Sequence, residues 1–164
     1  MSKILSIIIP TYNAEKFLDK GLSSFLVDDN SILNEIEVVV VNDGTPDNSL
    51  AVAQKYVDLY PNVFRILNKK NGGHGSAINA GVGVIKGRYF KVVDSDDWLE
   101  ESQLQKLLQT IEQWDKSDTR VDLIVCNYIY DHLYEGKAKR MTYGNVFKEN
   151  VVCGWNDIGR FRPS

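Results

Sequence analysis

Cysteine is scarce in this chain. Cys126 and Cys153 are the only two in 164 residues, far apart and without the paired spacing of a metal site. That excludes the disulfide framework of a small secreted domain and predicts two buried free thiols in a reducing compartment. Long apolar runs are also lacking, since no stretch approaches the roughly 20 residues needed to cross a bilayer. The N-terminus passes straight into Ile4-Leu5-Ser6-Ile7-Ile8-Ile9 with no signal-peptide plan. Nor is there an excess of positive charge. The formal net charge is -3, with no basic run to act as a phosphate-backbone footprint, so nucleic acid is not an expected partner. The expected location is the cytoplasm, with the inner face of the membrane reachable through missing segments or partners.

What is present is an ordinary globular composition and enough chain for one sizeable core. Ile4 to Ile9 is a nearly continuous β-branched run, as expected of a strand covered on both faces, and Pro10 is expected to close it. Leu18, Leu22 and Phe25 predict a helix from about Ala14 to Leu26, broken by Asp28 to Ser31. Ile36 to Val41 reads as a second strand, and Leu50, Ala53, Val57 and Tyr60 mark an amphipathic helix. Val63 to Leu67 is the third strand, followed by a glycine-rich loop and a short helix near Ser76 to Val82. Tyr89 to Val93 is a fourth strand; Leu104, Leu107, Leu108, Ile111 and Trp114 share one face of the next helix. Asp122 to Tyr130 reads as a fifth strand, Asp131 to Arg140 as a polar turn or loop, Met141 to Phe147 as a candidate strand, and Val151 to Ser164 as irregular. Strand and helix alternating at this pace predict an α/β domain with a mainly parallel sheet.

In such sheets ligands bind beyond the carboxyl ends of the strands. Four chemically unusual loops fall there. The most telling ends the run Tyr89 to Leu99, where Asp94, Asp96 and Asp97 crowd into four residues. Asp94 and Asp96 should share a face, and a divalent cation would relieve their repulsion; magnesium or manganese suits, with positions left for phosphate oxygens. Taken alone, the same turn reads as a solvated acidic cap for the following helix. Asp43, released into a sharp turn by Gly44, could accept hydrogen bonds from a nucleobase or ribose, or bond to its own backbone. Tyr12 could stack on a base or pack over the sheet edge. Asn71-Gly72-Gly73-His74-Gly75 offers backbone N–H groups to a phosphate ahead of a helix N-terminus. It lacks the Gly-Lys-Ser/Thr ending of a phosphate loop, and Ile78 stands where a dinucleotide fingerprint has its third glycine. A flexible loop is the plain alternative. His74 could meet a phosphate or be solvated, and Lys69, Lys70 and Lys86 read as solvated charges.

Together these pieces resemble a family 2 glycosyltransferase of the GT-A fold. The matching stretches are Ser6 to Asn13, Val39 to Ser49, Asn71 to Gly81 and Gly87 to Asp97, in the family's order. The resemblance implies a three-layer α/β/α sandwich with a mainly parallel central sheet. It also implies binding of a nucleotide-diphosphate sugar, most often a UDP-sugar, and inverting transfer to an acceptor hydroxyl on a glycan or lipid-linked molecule, as in cell-surface polysaccharide synthesis. By that resemblance Thr11, Tyr12 and Asp43 surround the base and ribose, Pro10 and Asn13 belong to the same nucleotide-sugar site, and Asn71, Gly73, His74, Gly75 and Asn79 lie near the nucleotide and sugar. Asp94 and Ser95 complete the donor site, and Asp94 and Asp96 hold Mn2+ or Mg2+. The chain is expected to be one donor-binding domain, its core at residues 1–130 and the start of the acceptor region at 131–164, truncated at its C-terminus. The catalytic base is expected beyond Ser164, with Asp157 the late loop carboxylate to consider. The alternatives are a nucleotide-sugar-binding module without catalysis and, more distantly, a nucleotidyltransferase, whose basic phosphate signature near the N-terminus is absent.

Overall fold

Runs of β-branched residues make the sheet and set its layers. In the computed structural model, which describes residues 3–132, 137–148 and 151–157, the chain divides into two compact units, Met1–Gln113 and Trp114–Ser164. The first unit contains β1 (Leu5–Thr11), α1 (Leu18–Ser23), α2 (Asn30–Leu33), β2 (Ile36–Asn42), α3 (Ser49–Leu59), β3 (Phe64–Asn68), α4 (His74–Val82), β4 (Tyr89–Val92) and most of α5 (Glu101–Lys116). Its four strands are all parallel, in the order β3-β2-β1-β4.

Side chains alternate along β1 and β2, and the alternation divides the core in two. Ile7, Ile9, Val38 and Val40 pack with Leu18 and Leu22 of α1, Ala53 and Tyr56 of α3, and Leu104 and Leu108 of α5. Ile8, Val39 and Val41 face the other way, onto Ala77 of α4. Both strands are buried throughout, which is why they read as continuous apolar runs. A Cβ added at Gly81 would lie 2.5 Å from Ile8 Cγ2, so the glycine lets α4 lie directly on the sheet. At the amino end of the sheet, buried Glu37 accepts from Ser6 Oγ at 2.6 Å, Arg65 Nε at 3.1 Å and the Lys86 amide. These bonds fasten the segment between α4 and β4. Burial opposes the charge on Glu37, but the bonds from Ser6, Lys86 and Arg65 outweigh it and hold the carboxyl below its ordinary value.

Several local expectations are corrected. β1 does not stop at Pro10 but runs through it to Thr11. Val93 N donates to Ile8 O, so Ile8 faces β4, and so does Pro10 two residues on. The β1–β4 ladder has already ended at Ile8 and Val92, and the missing N–H of Pro10 leaves no partner unmet. Regular helix is confined to Leu18–Ser23 rather than Ala14 to Leu26, because the preceding turn is bonded to another loop. A single helical turn, Asn30–Leu33, stands where a break was expected.

In the second unit Tyr128–His132 (β5) pairs antiparallel with Lys137–Met141 (β6) in a sheet of their own, and no strand covers residues 122–127. Residues 131, 132 and 137–140 of the expected polar loop thus lie in paired strands, the expected fifth strand is met only at residues 128–130, and the candidate strand at Met141 to Phe147 contributes only Met141. An exposed hairpin closes backbone hydrogen bonds without an apolar run, so hydrophobic pattern could not reveal it. Cys126 and Cys153 are exposed rather than buried, since no described residue from 114 to 157 is fully buried. Residues 158–164, the end of the expected irregular segment, lie outside the described residues. Among the described residues no helix is long and apolar enough to cross a membrane.

The loops after β1 and β2 are fastened to each other through Asp47. Its Oδ1 accepts from Thr45 Oγ1 and Ser49 Oγ, each at 2.6 Å, and its Oδ2 accepts from Glu15 N at 3.0 Å. Glu15 replies by accepting from Asn48 N at 2.8 Å, while Thr45 Oγ1 accepts from Asn13 N and Ser49 Oγ from Ala14 N. Burial works against the Asp47 charge, but bonds from Ser49, Thr45 and the Glu15 amide outweigh it and hold the carboxyl well below the usual range. Asp47→Ala is therefore expected to cost about 3 kcal/mol in denaturant unfolding, as charge-assisted bonds are lost and buried donors left unmet. A lowered folded-state pKa means the stabilisation is complete above the ordinary carboxylate value and is lost as pH falls through the lowered one. Wild type should accordingly lose stability more steeply than Asp47→Ala when melts are taken from pH 5 downwards; parallel curves would contradict this.

Candidate functional site

The sheet order places a switch point beside β1: the chain goes one way to β2 and β3, then crosses back to lay β4 on the other side. Loops leaving β1 and β4 diverge there and open a crevice beyond the carboxyl ends of the strands. The early end of the β1–β4 ladder deepens it, since β1 continues through Pro10 and Thr11 without a β4 partner. The result is a cleft of about 590 Å3, lined by Pro10, Thr11, Tyr12, Asp43, Asn71, Gly73, His74, Ala77, Asp94, Ser95 and Asp96.

One wall is the glycine-rich segment, and Asp43 shapes it. Asp43 is only 3% exposed. Its carboxylate pairs with Lys69 Nζ and accepts from Gly72 N at 3.0 Å and Gly73 N at 2.8 Å. The bond from Lys69, followed by the two amides, outweighs burial and holds the carboxyl below its ordinary value. Neither Gly72 nor Gly73 could easily be replaced. A Cβ on Gly72 would lie 2.7 Å from Ser76 Oγ, and Gly73 has φ 85°, a left-handed backbone. Gly73 caps α4 and has no side chain to bond the first-turn amides, so the positive end of the helix is presented at the cleft.

The other wall is the acidic turn after β4. Asp97 N donates to Asp94 O at 3.0 Å, closing the turn. Burial, and after it the charges of Asp96 and Asp94, push the Asp97 carboxyl up. His74 Nε2 lies 2.8 Å from Asp94 Oδ1, linking the start of α4 to the acidic turn across the cleft. Both side chains are more than half exposed. Among the described residues no group of three or more His, Cys, Asp or Glu is gathered as a closed metal cage. The donor set fits a different arrangement. Two carboxylates at an open cleft, opposite free backbone amides, suit a hard cation that takes its other ligands from water and phosphate oxygens.

Of the residues singled out in the sequence, Pro10, Thr11, Tyr12, Asp43, Asn71, Gly73, His74, Asp94, Ser95 and Asp96 meet at this cleft. Asn13, Gly75 and Asn79 do not line it. Asn13 takes a left-handed backbone, φ 53°, in the bonded pair of loops, and Asn79 lies exposed along α4. Thr11 is buried with its hydroxyl donated to Ile9 O at 3.0 Å. The Asp43 carboxylate bonds not to its own turn but to Lys69 and to a loop about thirty residues away. Lys69, read as a solvated charge, is instead the partner of Asp43, with a side chain 20% exposed. Asp47 was passed over altogether. Asp157 lies in the second unit, in a 3-10 turn (Trp155–Asp157), where its Oδ2 accepts from Gly154 N at 2.9 Å.

With this geometry in view, similarity to known proteins is informative. Residues 6–159 match the family model described as Glycosyl transferase family 2. A glycosyltransferase of Bacillus subtilis named EpsJ is 34% identical over 143 residues, 87% of this chain and 38% of that protein. The minor teichoic acid biosynthesis protein GgaB of the same organism is 29% identical over 90% of this chain and 16% of its own length. Among solved structures, TarS of S. aureus in complex with UDP superposes with a TM-score of 0.60 at 28% identity, over 68% of this chain and 33% of that one. The chain therefore spans well under half the length of these relatives. Its four-stranded parallel sheet between helical layers is the GT-A-like architecture. The match to nearly the whole chain makes it a member of glycosyl transferase family 2.

Proposed function

We propose that the cleft binds a nucleoside-diphosphate sugar, with UDP as the nucleotide, and that the complete protein transfers the sugar to an acceptor hydroxyl with inversion. The observation that carries the reading is the meeting, in one cleft, of a glycine-rich helix start and a carboxylate pair from the next strand. A diphosphate suits that gap: anionic oxygens facing the first-turn amides of α4, with a cation on the opposite side. Asp94 and Asp96 would hold Mn2+ or Mg2+, which when bound neutralises charge on the departing nucleotide. Tyr12, 48% exposed at the mouth of the cleft, is free to stack on the base. Pro10, Thr11 and Asp43 form the floor on which base and ribose rest, and Asn71, His74 and Ser95 the edges near the diphosphate and sugar. The TarS complex with UDP favours uridine, and the relation to GgaB favours an acceptor in a cell-surface polymer. The base that takes the acceptor proton is expected outside Met1–Ser164.

Calorimetry tests the reading. UDP should bind in the presence of Mn2+, and Asp96→Ala should weaken that binding at least tenfold while leaving binding in chelator unchanged; equal affinity with cation and with chelator would contradict it. In a thermal-shift screen of nucleotide sugars with Mn2+, the true donor at about a hundred times its Kd should add about 2.7 kcal/mol of stability. A flat response across UDP-, GDP- and dTDP-sugars would count against donor binding.

A further inference from the structure

The acidic turn rests on α1, and Lys20, Gly21 and the C-capping Ser24 make the seat. Gly21 lies inside α1, where glycine is a poor choice for a helix. The reason is contact: a Cβ at Gly21 would stand 2.9 Å from the backbone carbonyl oxygen of Asp97, closer than real Cβ atoms come. The obstacle is backbone, so a larger residue could be admitted only by moving the turn. One step earlier, Lys20 Nζ sits 3.1 Å from the centroid of the Trp98 ring, a cation–π contact on the residue after Asp97. Three residues later, Ser24 Oγ accepts from Leu99 N at 3.1 Å while donating to Gly21 O at 2.6 Å. Asp97, Trp98 and Leu99 are thus each held by a different residue of one helix. α1 in turn is fixed to α3, where Tyr56 Oη donates to Asp19 at 3.0 Å.

We infer that Gly21 and Ser24 are positioning residues that set where Asp94 and Asp96 stand at the cleft, acting through the backbone of residues 97–99. Neither touches the cleft itself. The inference rests on the reading of the turn as the element that holds cation and diphosphate. It adds that the aim of those carboxylates is decided by α1, a helix outside the site, through a contact only glycine permits. Repulsion among Asp94, Asp96 and Asp97 works against a compact turn, and the contacts with α1 oppose it.

Amide hydrogen exchange and calorimetry on the same variants decide it. Gly21→Ala and Ser24→Ala should raise exchange at residues 94–99 at least tenfold, with Leu99 the most affected in Ser24→Ala. Both should weaken Mn2+-dependent UDP binding about tenfold and leave UDP binding in chelator unmoved. Val63→Ala serves as the stability control, since it trims a buried core side chain just before the amino end of β3, away from the cleft. It should lower the melting temperature without selective exchange in the turn and without loss of Mn2+-dependent affinity. Unchanged exchange at residues 94–99 in both α1 variants, or equal selective opening in Val63→Ala, would overturn the seat. Wild-type protein that binds no UDP with Mn2+ would defeat the functional reading instead, while the exchange data still decide the seat.

Discussion

Negative charge and backbone amides have to be brought face to face beyond the ends of parallel strands, and neither group can be left to settle its own position. Carboxylates packed into four residues repel one another, and amides at a helix start want an anion. The fold deals with both by anchoring the backbone on either side of the cleft. Asp43 ties down Gly72 and Gly73, and α1 holds residues 97–99. With both walls fixed, His74 and Asp94 meet across the gap at 2.8 Å.

The anchors differ in kind. Asp43 acts through charge, since its carboxylate is shared between the Lys69 ammonium and two amides. The α1 seat acts through close backbone approach at Gly21, one cation–π contact from Lys20 and one hydroxyl from Ser24. A second layer lies behind both. Asp47 binds the loops after β1 and β2 into one piece, so that Tyr12 projects from a rigid edge rather than from a loose loop. At the other end of the sheet, Glu37 fastens the segment that leads into β4 and so sets where the acidic turn begins. Polar groups with no contact to the cleft thus carry much of its geometry.

The parts legible in the sequence are those where one residue type has one physical meaning. β1 and β2 are legible as strands because strands buried on both faces must be apolar throughout, although β1 runs past Pro10 to Thr11. The acidic turn and the glycine loop stood out because their composition is costly unless something uses it. What could not be read depends on partners distant in the chain. Lys69 looks solvated until β3 brings it beside Asp43, and Asp47 looks like an ordinary turn residue until Glu15 reaches it from the previous loop. Gly21 carried a faint signal, a glycine inside a helix, but only the approach of Asp97 explains it. Of the β5–β6 pair only residues 128–130 fall within an expected strand; with no buried face among the described residues, the rest carries no side-chain pattern to detect.

The central claim is that the cleft beside β1 and β4 holds a nucleotide diphosphate through a cation on the acidic turn. Anomalous diffraction from crystals grown with UDP and Mn2+ tests it most directly. The account predicts a manganese peak between the diphosphate and the carboxylates of Asp94 and Asp96, with the uracil ring against Tyr12. UDP bound in this cleft without manganese at the acidic turn, or bound elsewhere on the protein, would contradict it.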